Sequence, residues 1–248
     1  MRPLIIFLAL LALWQAVVWL TGAPRYILPG PGLVAEALVA RWPEILPNAG
    51  VTIAEILLGL LLGTLLGCSS ALVLAWFRPA RRWLLPVFVS SQAIPVFALA
   101  PILVLWLGYG LASKVAMATL IIFFPVTAAF FDGLRRTEPG WLDLAKTMGA
   151  SPWRTLRHLR IPAALPALAS GIRVAAAVAP IGAIVGEWVG SSAGLGYLML
   201  QANARLQIDL MFAALFVLAV FAVSLYFLID RLLTKALSWQ ADDGSPPR

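Results

Sequence analysis

Residues 50–77 read GVTIAEILLGLLLGTLLGCSSALVLAWF, an apolar run in which Glu55 is the one charged residue. A helix needs about 20 predominantly apolar residues to cross the hydrocarbon core of a bilayer, so this run is long enough. Transmembrane barrel strands alternate apolar and polar residues, and the run shows no such alternation. Because only a helix satisfies its own backbone within one segment in lipid, the run predicts an all-α integral membrane protein.

The composition of the whole chain agrees with that class. Of 248 residues, 62% are hydrophobic and 12% are charged, and the mean hydropathy is +0.94. Soluble globular domains carry roughly 25% charged residues. Six spans would use about 120 residues, which leaves no room for a second folded domain. We therefore expect one transmembrane domain over residues 1–240 and a disordered tail over residues 241–248.

Five further apolar runs accompany residues 50–77. The six predicted spans cover residues 4–21, 50–77, 83–107, 113–131, 167–189 and 209–233. The first run can also be read as a secretory signal, because Arg2 precedes it and Thr21-Gly22-Ala23 is similar to a cleavage site. It is longer than the usual signal core of about 7–15 residues, which favours a retained helix.

The positive charges are divided unequally between the two sides of this arrangement. Lys and Arg number 18. Of these, 13 fall in the terminal segments and the even-numbered loops, 4 fall on the other side, and Arg173 lies in the fifth span. Cytoplasmic loops carry the excess of Lys and Arg, so both termini are predicted to be cytoplasmic.

Several classes of site are disfavoured by the residue counts. Cys68 is the only cysteine and His158 the only histidine, so no disulfide within the chain, no metal site and no cofactor are expected. The net charge of +7 is explained by the distribution of basic residues between loops, and no nucleic-acid partner is expected.

The predicted inner loop, residues 132–166, is far longer than a connection between two neighbouring helices requires. The spacing of four apolar residues predicts a helix with one apolar face; they are Trp141, Leu144, Ala145 and Met148. Gly149 is a natural stop, and Ser151 can cap a second helix that starts at Pro152 and is expected to end before Pro162. Periodicity alone equally allows a basic hairpin resting on anionic headgroups.

Within this loop, Asp143-x-Ala145-x-x-x-Gly149 is followed after nine residues by Leu159-x-Ile161-Pro162. This pattern resembles the EAA loop of the inner-membrane permeases of bacterial ABC importers. The chain departs from it in having Asp143 where Glu is usual and Leu144 where the first Ala is usual. The resemblance implies a coupling loop that contacts an ATPase. It places the contacts at Asp143, Ala145, Gly149, Trp153 and Pro162.

The resemblance covers nearly the whole chain and points to one branch of the family. It rests on Leu28-Pro29-x-Pro31, on Pro95 and Pro101, and on Glu187-Trp188 followed by Gly194-Leu195-Gly196. The similar permeases import nitrate, sulfonates, taurine or pyrimidine precursors of thiamine, and a hydroxymethylpyrimidine-type precursor is the substrate we expect. The resemblance implies a homodimer in the bacterial inner membrane, separate ATPase subunits and an extracytoplasmic binding protein. The chain has no Gly-Lys-Ser or Gly-Lys-Thr phosphate loop, so ATP hydrolysis is expected in another polypeptide.

The third predicted span contains the candidate translocation path. Prolines break helices, and such breaks are tolerated where the backbone faces protein or water. We therefore assign Ser91, Gln92 and Pro95 to the path, and add Glu187 near the outer end of the fifth span. For Glu187 a gating or packing role is as good an interpretation as substrate contact.

Small residues and charges inside the predicted spans have structural explanations as well. Gly59, Gly63 and Gly67 form a ridge that lets a helix approach closely, and packing within one subunit is favoured over a dimer seam. Glu55 is interpreted as solvated at the interface or paired, and Arg173 as reaching toward lipid headgroups.

Two other classes of function remain as alternatives. An ion-coupled secondary carrier usually has paired repeats and ionisable residues at mid-membrane depth, and neither is evident here. A membrane-embedded enzyme needs convergent nucleophiles, acids or metal ligands, and the acidic residues are scattered near the ends of the spans.

Overall fold

The structure is a computed structural model that describes residues 2–91 and 94–239; the side chains of residues 2–4, 78, 89 and 91 lie outside that description. All the regular secondary structure in these residues is helical. The helices are α1 (Arg2–Thr21), α2 (Pro31–Ala40), α3 (Trp42–Trp76), α4 (Arg78–Ser91), α5 (Val96–Leu107), α6 (Leu111–Arg135), α7 (Pro139–Thr147), α8 (Pro152–Thr155), α9 (Ile161–Gly190), α10 (Leu195–Ala204) and α11 (Ile208–Ala236).

Four helical segments of the described chain are long and apolar enough to cross a membrane: Trp42–Trp76, Leu111–Arg135, Pro152–Gly190 and Ile208–Ala236. They contain the fourth, fifth and sixth predicted spans and all of the second except Phe77. The first predicted span coincides with α1, whose described apolar part, Ile5–Thr21, is shorter. The predicted all-α membrane class is confirmed, whereas the predicted number of six spans is not.

The third predicted span, residues 83–107, is interrupted near Pro95, one of the breaks that its prolines predict. It is divided between α4 and α5, and α5 begins only after Pro95, which is its N-cap residue. Proline has no backbone N–H to donate and its ring clashes with the preceding turn, so the break falls where the sequence places Pro95. With 12 residues, α5 is about 18 Å long and too short to cross the hydrocarbon core.

The helix that starts at Pro152 does not end before Pro162, contrary to the expectation. A π-helical turn over Leu156–Arg160 joins α8 to α9, and the Ile161 N–H bonds to the carbonyl of Leu156, five residues back. The wider turn changes the hydrogen-bond register just before Pro162, which has no N–H to offer. The end of the loop is therefore continuous with a spanning helix that reaches Gly190.

The core of the bundle is α6, which packs between α3 and α9. A Cβ added to Gly63 of α3 would lie 2.6 Å from Cγ2 of Ile122, and one added to Gly67 would lie 2.8 Å from Cβ of Val126. On the other side, Gly182 of α9 approaches the backbone of Ala118 equally closely. Packing within one subunit, the favoured interpretation of the glycine ridge in α3, is confirmed.

An ion pair ties α9 to α11 near one end of the bundle. Nε of Arg173 donates to Oδ1 of Asp230 at 2.6 Å, and Nη2 donates to Oγ1 of Thr234 at 3.2 Å. Arg173 therefore has protein partners in addition to any headgroup that its exposed part can reach. The paired acid is on α11, far away in sequence, so helix periodicity within α9 did not reveal it.

Candidate functional site

The loop between α6 and α9 presents an apolar surface that the rest of the described chain does not cover. Trp141, Leu144 and Met148 are 52%, 59% and 77% exposed, and none of the residues of α7 is buried. Trp153, on α8, is also exposed. We call these four side chains the loop surface. Exposed apolar side chains concentrated on one element are typical of an interaction site.

The turn between α7 and α8 depends on Gly149, whose φ is +70°. The Gly149 N–H bonds to the carbonyl of Lys146 at 2.9 Å, and the Ala150 N–H bonds to the carbonyl of Ala145 at 2.9 Å. Such bonds satisfy carbonyls that a helix end leaves free. A Cβ on Gly149 would meet no atom within 4 Å, so the left-handed backbone alone requires glycine here.

The second helix of the loop starts with a capped end. The Oγ of Ser151 accepts from the Arg154 N–H at 3.3 Å, and Pro152 occupies the first turn. The Trp153 ring then contacts Trp76 at the end of α3 edge to face, with centroids 5.7 Å apart. These contacts hold the loop surface against the end of a spanning helix.

The five residues that the resemblance assigns to ATPase contact differ in their exposure. Asp143 is exposed and pairs with Lys146 at 2.8 Å, and Ala145 is half-buried beside it. Gly149 and Trp153 are exposed at the turn and on α8. Pro162, in contrast, is half-buried in the first turn of α9, within the continuous helix.

At the opposite end of α9, Glu187 is almost completely buried and both of its oxygens accept hydrogen bonds. Oε1 accepts from the hydroxyl of Thr52 at 2.5 Å, and Oε2 accepts from the backbone N–H of Gly196 at 2.5 Å and of Tyr197 at 3.2 Å. The carboxyl therefore caps the first turn of α10, where free N–H groups and the helix dipole favour an acceptor with negative charge.

Two residues of α3 complete this arrangement. The Oγ1 of Thr52 accepts from the Leu195 N–H at 2.7 Å, and the Oδ1 of Asn48 accepts from the Gly194 N–H at 2.8 Å. Gly194 has φ +114° and lies against the Glu187 carboxyl, so a side chain there would be strained and would clash. Sequence reasoning missed Thr52 and Asn48, because their partners are at least 135 positions away.

Glu55 and Lys114 are buried near Glu187. Glu55 is fully buried, neither of its oxygens has a partner in ordinary hydrogen-bond geometry, and its carboxyl lies within electrostatic reach of Glu187 and Lys114. Lys114 donates to the carbonyls of Tyr109 and Gly110 at 2.9 and 3.2 Å. Solvation at the membrane interface, one of the two interpretations of Glu55, is wrong, because α6 and α9 cover this part of α3.

Of the candidate path residues other than Glu187, Ser91 and Pro95 flank the break between α4 and α5. Ser91 is the last residue of α4, Gln92 lies outside the described residues, and Pro95 is exposed at the start of α5. Glu187 forms part of the wall of a cavity of about 300 Å³ near Tyr109 and Gln201. Because Thr52 of α3 occupies one Glu187 oxygen and the α10 turn occupies the other, the observed contacts are those of a positioning residue.

The long apolar helices, the broken helices between them and the exposed loop surface define a helical membrane protein of the transporter class. The family model described as "Binding-protein-dependent transport system inner membrane component" matches residues 59–237. The chain belongs to this family and is an inner-membrane permease of the binding-protein-dependent ABC importers.

Curated relatives agree with this assignment over almost their full lengths. A probable ABC transporter permease protein of Haemophilus influenzae is 58% identical over 95% of this chain and 96% of its own length. The formylaminopyrimidine transport permease protein ThiX of Halalkalibacterium halodurans is 36% identical over 97% of this chain and 96% of its own. The riboflavin transport system permease protein RibX of Chloroflexus aurantiacus is 37% identical, over 94% and 87%.

A solved structure shows the same fold. One chain of the inward-facing MetNI methionine ABC transporter superposes with a TM-score of 0.66 at 20% identity, covering 80% of this chain and 95% of that chain. At this identity the likeness concerns the arrangement of helices, and it carries no information on the substrate.

Proposed function

We propose that this chain is the translocation subunit of an ATP-driven importer and that the loop surface binds a separate ATPase subunit. The observation that carries the proposal is the exposure of Trp141, Leu144 and Met148 on a loop whose second helix continues into α9. Burial of large apolar side chains contributes about 25 cal/mol per Å² removed from water, so a groove on a partner would gain from covering them. An ATPase whose groove closes on the loop surface would transmit its motion directly along α9.

The same assignment orients the chain in the membrane. The loop surface would face the cytoplasm, where ATP is available, and this places both termini on the cytoplasmic side in agreement with the excess of Lys and Arg there. The capped turn at Glu187 would then lie at the outer end, where an extracytoplasmic binding protein delivers substrate. Membrane lipid surrounds the exposed apolar faces of α3 and α11.

The exposed stripe of α9 supports a homodimer. Val174, Ile181 and Trp188 are each more than half exposed and stand seven positions apart, on a helix whose other faces are buried in the subunit. Seven-residue spacing keeps side chains on one face of a helix pair. An apolar cavity of about 640 Å³ that includes Ile181 and Trp188 in its wall opens beside the stripe. A second copy of the chain packed along this stripe would cover it.

A cysteine at the stripe is expected to report the dimer. In a Cys68→Ser background, Ile181→Cys should form a covalent dimer with a short bifunctional thiol reagent in native membranes. Leu61→Cys, which is equally exposed on α3, serves as the matched control and should remain monomeric. Equal cross-linking at both positions would contradict a dimer interface along α9. So would the absence of cross-linking at Ile181→Cys, provided that a monofunctional reagent labels this cysteine fully.

For the substrate, we propose a small nitrogen heterocycle of the hydroxymethylpyrimidine type. Relatives at 36% and 37% identity are named for formylaminopyrimidine and riboflavin transport, whereas the relatives named for sulfonates and taurine are 26–27% identical. The cations at membrane depth also support this choice. Lys114 is engaged by backbone carbonyls and Arg173 by Asp230, so neither is a free cation for an anionic substrate.

Reconstitution tests both levels of the proposal. Proteoliposomes that contain this chain and its co-expressed ATPase, supplied with the binding protein, should accumulate labelled hydroxymethylpyrimidine. They should do so only when ATP is present on the side of the membrane where the ATPase is bound. Omission of the ATPase should abolish uptake. Uptake driven by an ion gradient without the ATPase would support a secondary carrier instead. ATP-dependent uptake of taurine or nitrate with no pyrimidine uptake would overturn the substrate and leave the importer assignment intact.

A further inference from the structure

A strongly cationic cavity of about 620 Å³ lies at the end of the bundle that carries the loop surface. Four basic side chains line it, from α4, α6, α7 and the π turn: Arg81, Arg135, Lys146 and Arg160. A second cavity of about 580 Å³ shares Arg81 and Arg135 and adds Arg82. No Asp or Glu is among the lining residues of either cavity within the described chain.

Two of these cations are held in place by the protein itself. Nε and Nη2 of Arg160 both donate to the carbonyl of Leu134, at 3.0 and 2.8 Å, at the end of α6. The Arg135 guanidinium lies over the Phe131 ring at 5.5 Å. Side chains that are fixed before a ligand arrives lose little entropy on binding, so the cavity is preorganised for an anion.

The charges of the cavity are only partly compensated. Lys146 is paired with Asp143 on the exposed side of α7, but Arg81 and Arg160 repel each other across the cavity. Each guanidinium has N–H groups that can donate hydrogen bonds to a phosphate oxygen. Such bonds between charged groups are stronger than those between neutral groups. An anion at this position would remove the repulsion and satisfy those donors.

The surroundings of the cavity indicate the source of that anion. On α4, which supplies Arg81 and Arg82, Trp83 is 75% exposed and Val87 is also exposed. An amphipathic helix with exposed apolar side chains next to basic ones is typical of a membrane interface, where Trp is enriched. Basic pockets between helix ends at that level accommodate lipid headgroups.

We propose that this cavity binds the phosphate of an anionic phospholipid headgroup, and that the bound lipid braces the loop against the ends of α3 and α6. Its walls include Ala150 and Pro152 from the turn after Gly149, as well as Trp76 and Leu134 from the helix ends. Occupancy would therefore hold the loop surface in one orientation. The effect on coupling rests on the function proposed above, whereas lipid binding does not.

The test measures lipid retention by the full chain, purified without an ATPase. After exchange into mixed micelles, the wild type should retain phosphatidylglycerol in large excess over phosphatidylcholine in native mass spectra. The Arg81→Gln and Arg135→Gln double variant should lose about 30-fold in apparent affinity for phosphatidylglycerol, because both guanidinium groups line the cavity and each would lose a charge-assisted contact to the same phosphate. Arg136→Gln combined with Arg231→Gln removes two exposed basic residues outside both cavities and should change the affinity less than about twofold.

Several outcomes would overturn the proposal. Equal retention of the two lipids would exclude selection of an anionic headgroup, and equal losses in the cavity variant and the control would indicate a diffuse charge effect. Competition by glycerol phosphate or inorganic phosphate at the same concentration as the lipid would assign the cavity to free phosphate. If the chain selects phosphatidylglycerol but this lipid does not stimulate ATP hydrolysis in the assembled importer, the cavity binds lipid as proposed. The proposed bracing of the loop by that lipid would then be refuted.

Discussion

A chain that carries Gly149→Val is expected to insert and dimerise normally but to bind its ATPase about 5–30-fold more weakly. A side chain at φ +70° adds roughly 1–2 kcal/mol of backbone strain, and a β-branched residue is least tolerant of that region. No neighbouring atom lies within 4 Å of the added Cβ, so the strain acts on the direction of α8 and not on core packing. The measurement is co-purification of the ATPase with the permease, together with ATP-dependent uptake at matched expression.

Two further variants make that experiment decisive. Gly149→Asn should retain most of the wild-type association, because Asn tolerates the left-handed conformation. Ala145→Glu, which places a charge beside the loop surface without altering the turn, should weaken association as well. Normal ATPase binding and normal uptake by both Gly149→Val and Ala145→Glu would refute the assignment of this loop as the ATPase contact.

The second large effect is expected in the core. Gly63→Val should prevent stable assembly of the subunit, because the added Cβ would lie 2.6 and 2.7 Å from Cγ2 and Cβ of Ile122 and 3.2 Å from the carbonyl of Thr119. Overpacking of this kind costs typically 1–3 kcal/mol and more where backbone atoms must move. We expect a lowered thermal midpoint and a reduced monodisperse fraction in detergent.

Gly50 is a matched control on the same helix. A Cβ there meets no atom within 4 Å, and Gly50→Val should leave the thermal midpoint nearly unchanged. The double variant Gly63→Ala with Ile122→Ala should recover only the loss that comes from the Cγ2 contact at 2.6 Å, because alanine retains the Cβ that lies 2.7 Å from the added Cβ. A Gly63→Val protein as stable as Gly50→Val would show that α3 and α6 do not approach as closely as described here.

The sequence was informative wherever one segment carries its own signal. Apolar runs identified α3, α6, α9 and α11, because burial in lipid requires about 20 consecutive apolar residues irrespective of neighbours. Gly149 was recognised as the end of a helix, because the left-handed backbone is a local property of glycine. The family pattern around Asp143 and Gly149 likewise lies within one loop and depends on no long-range contact.

Tertiary structure alone decided which distant groups meet. The pairing of Arg173 with Asp230, and the capping of α10 by Glu187 with Thr52 and Asn48, join residues that no helical period relates. The cationic cavity between Arg81 and Arg160 also arises only when helix ends assemble. Periodicity reports which face of a helix is apolar, whereas contacts between helices depend on their relative rotation and depth, which packing of the whole bundle sets.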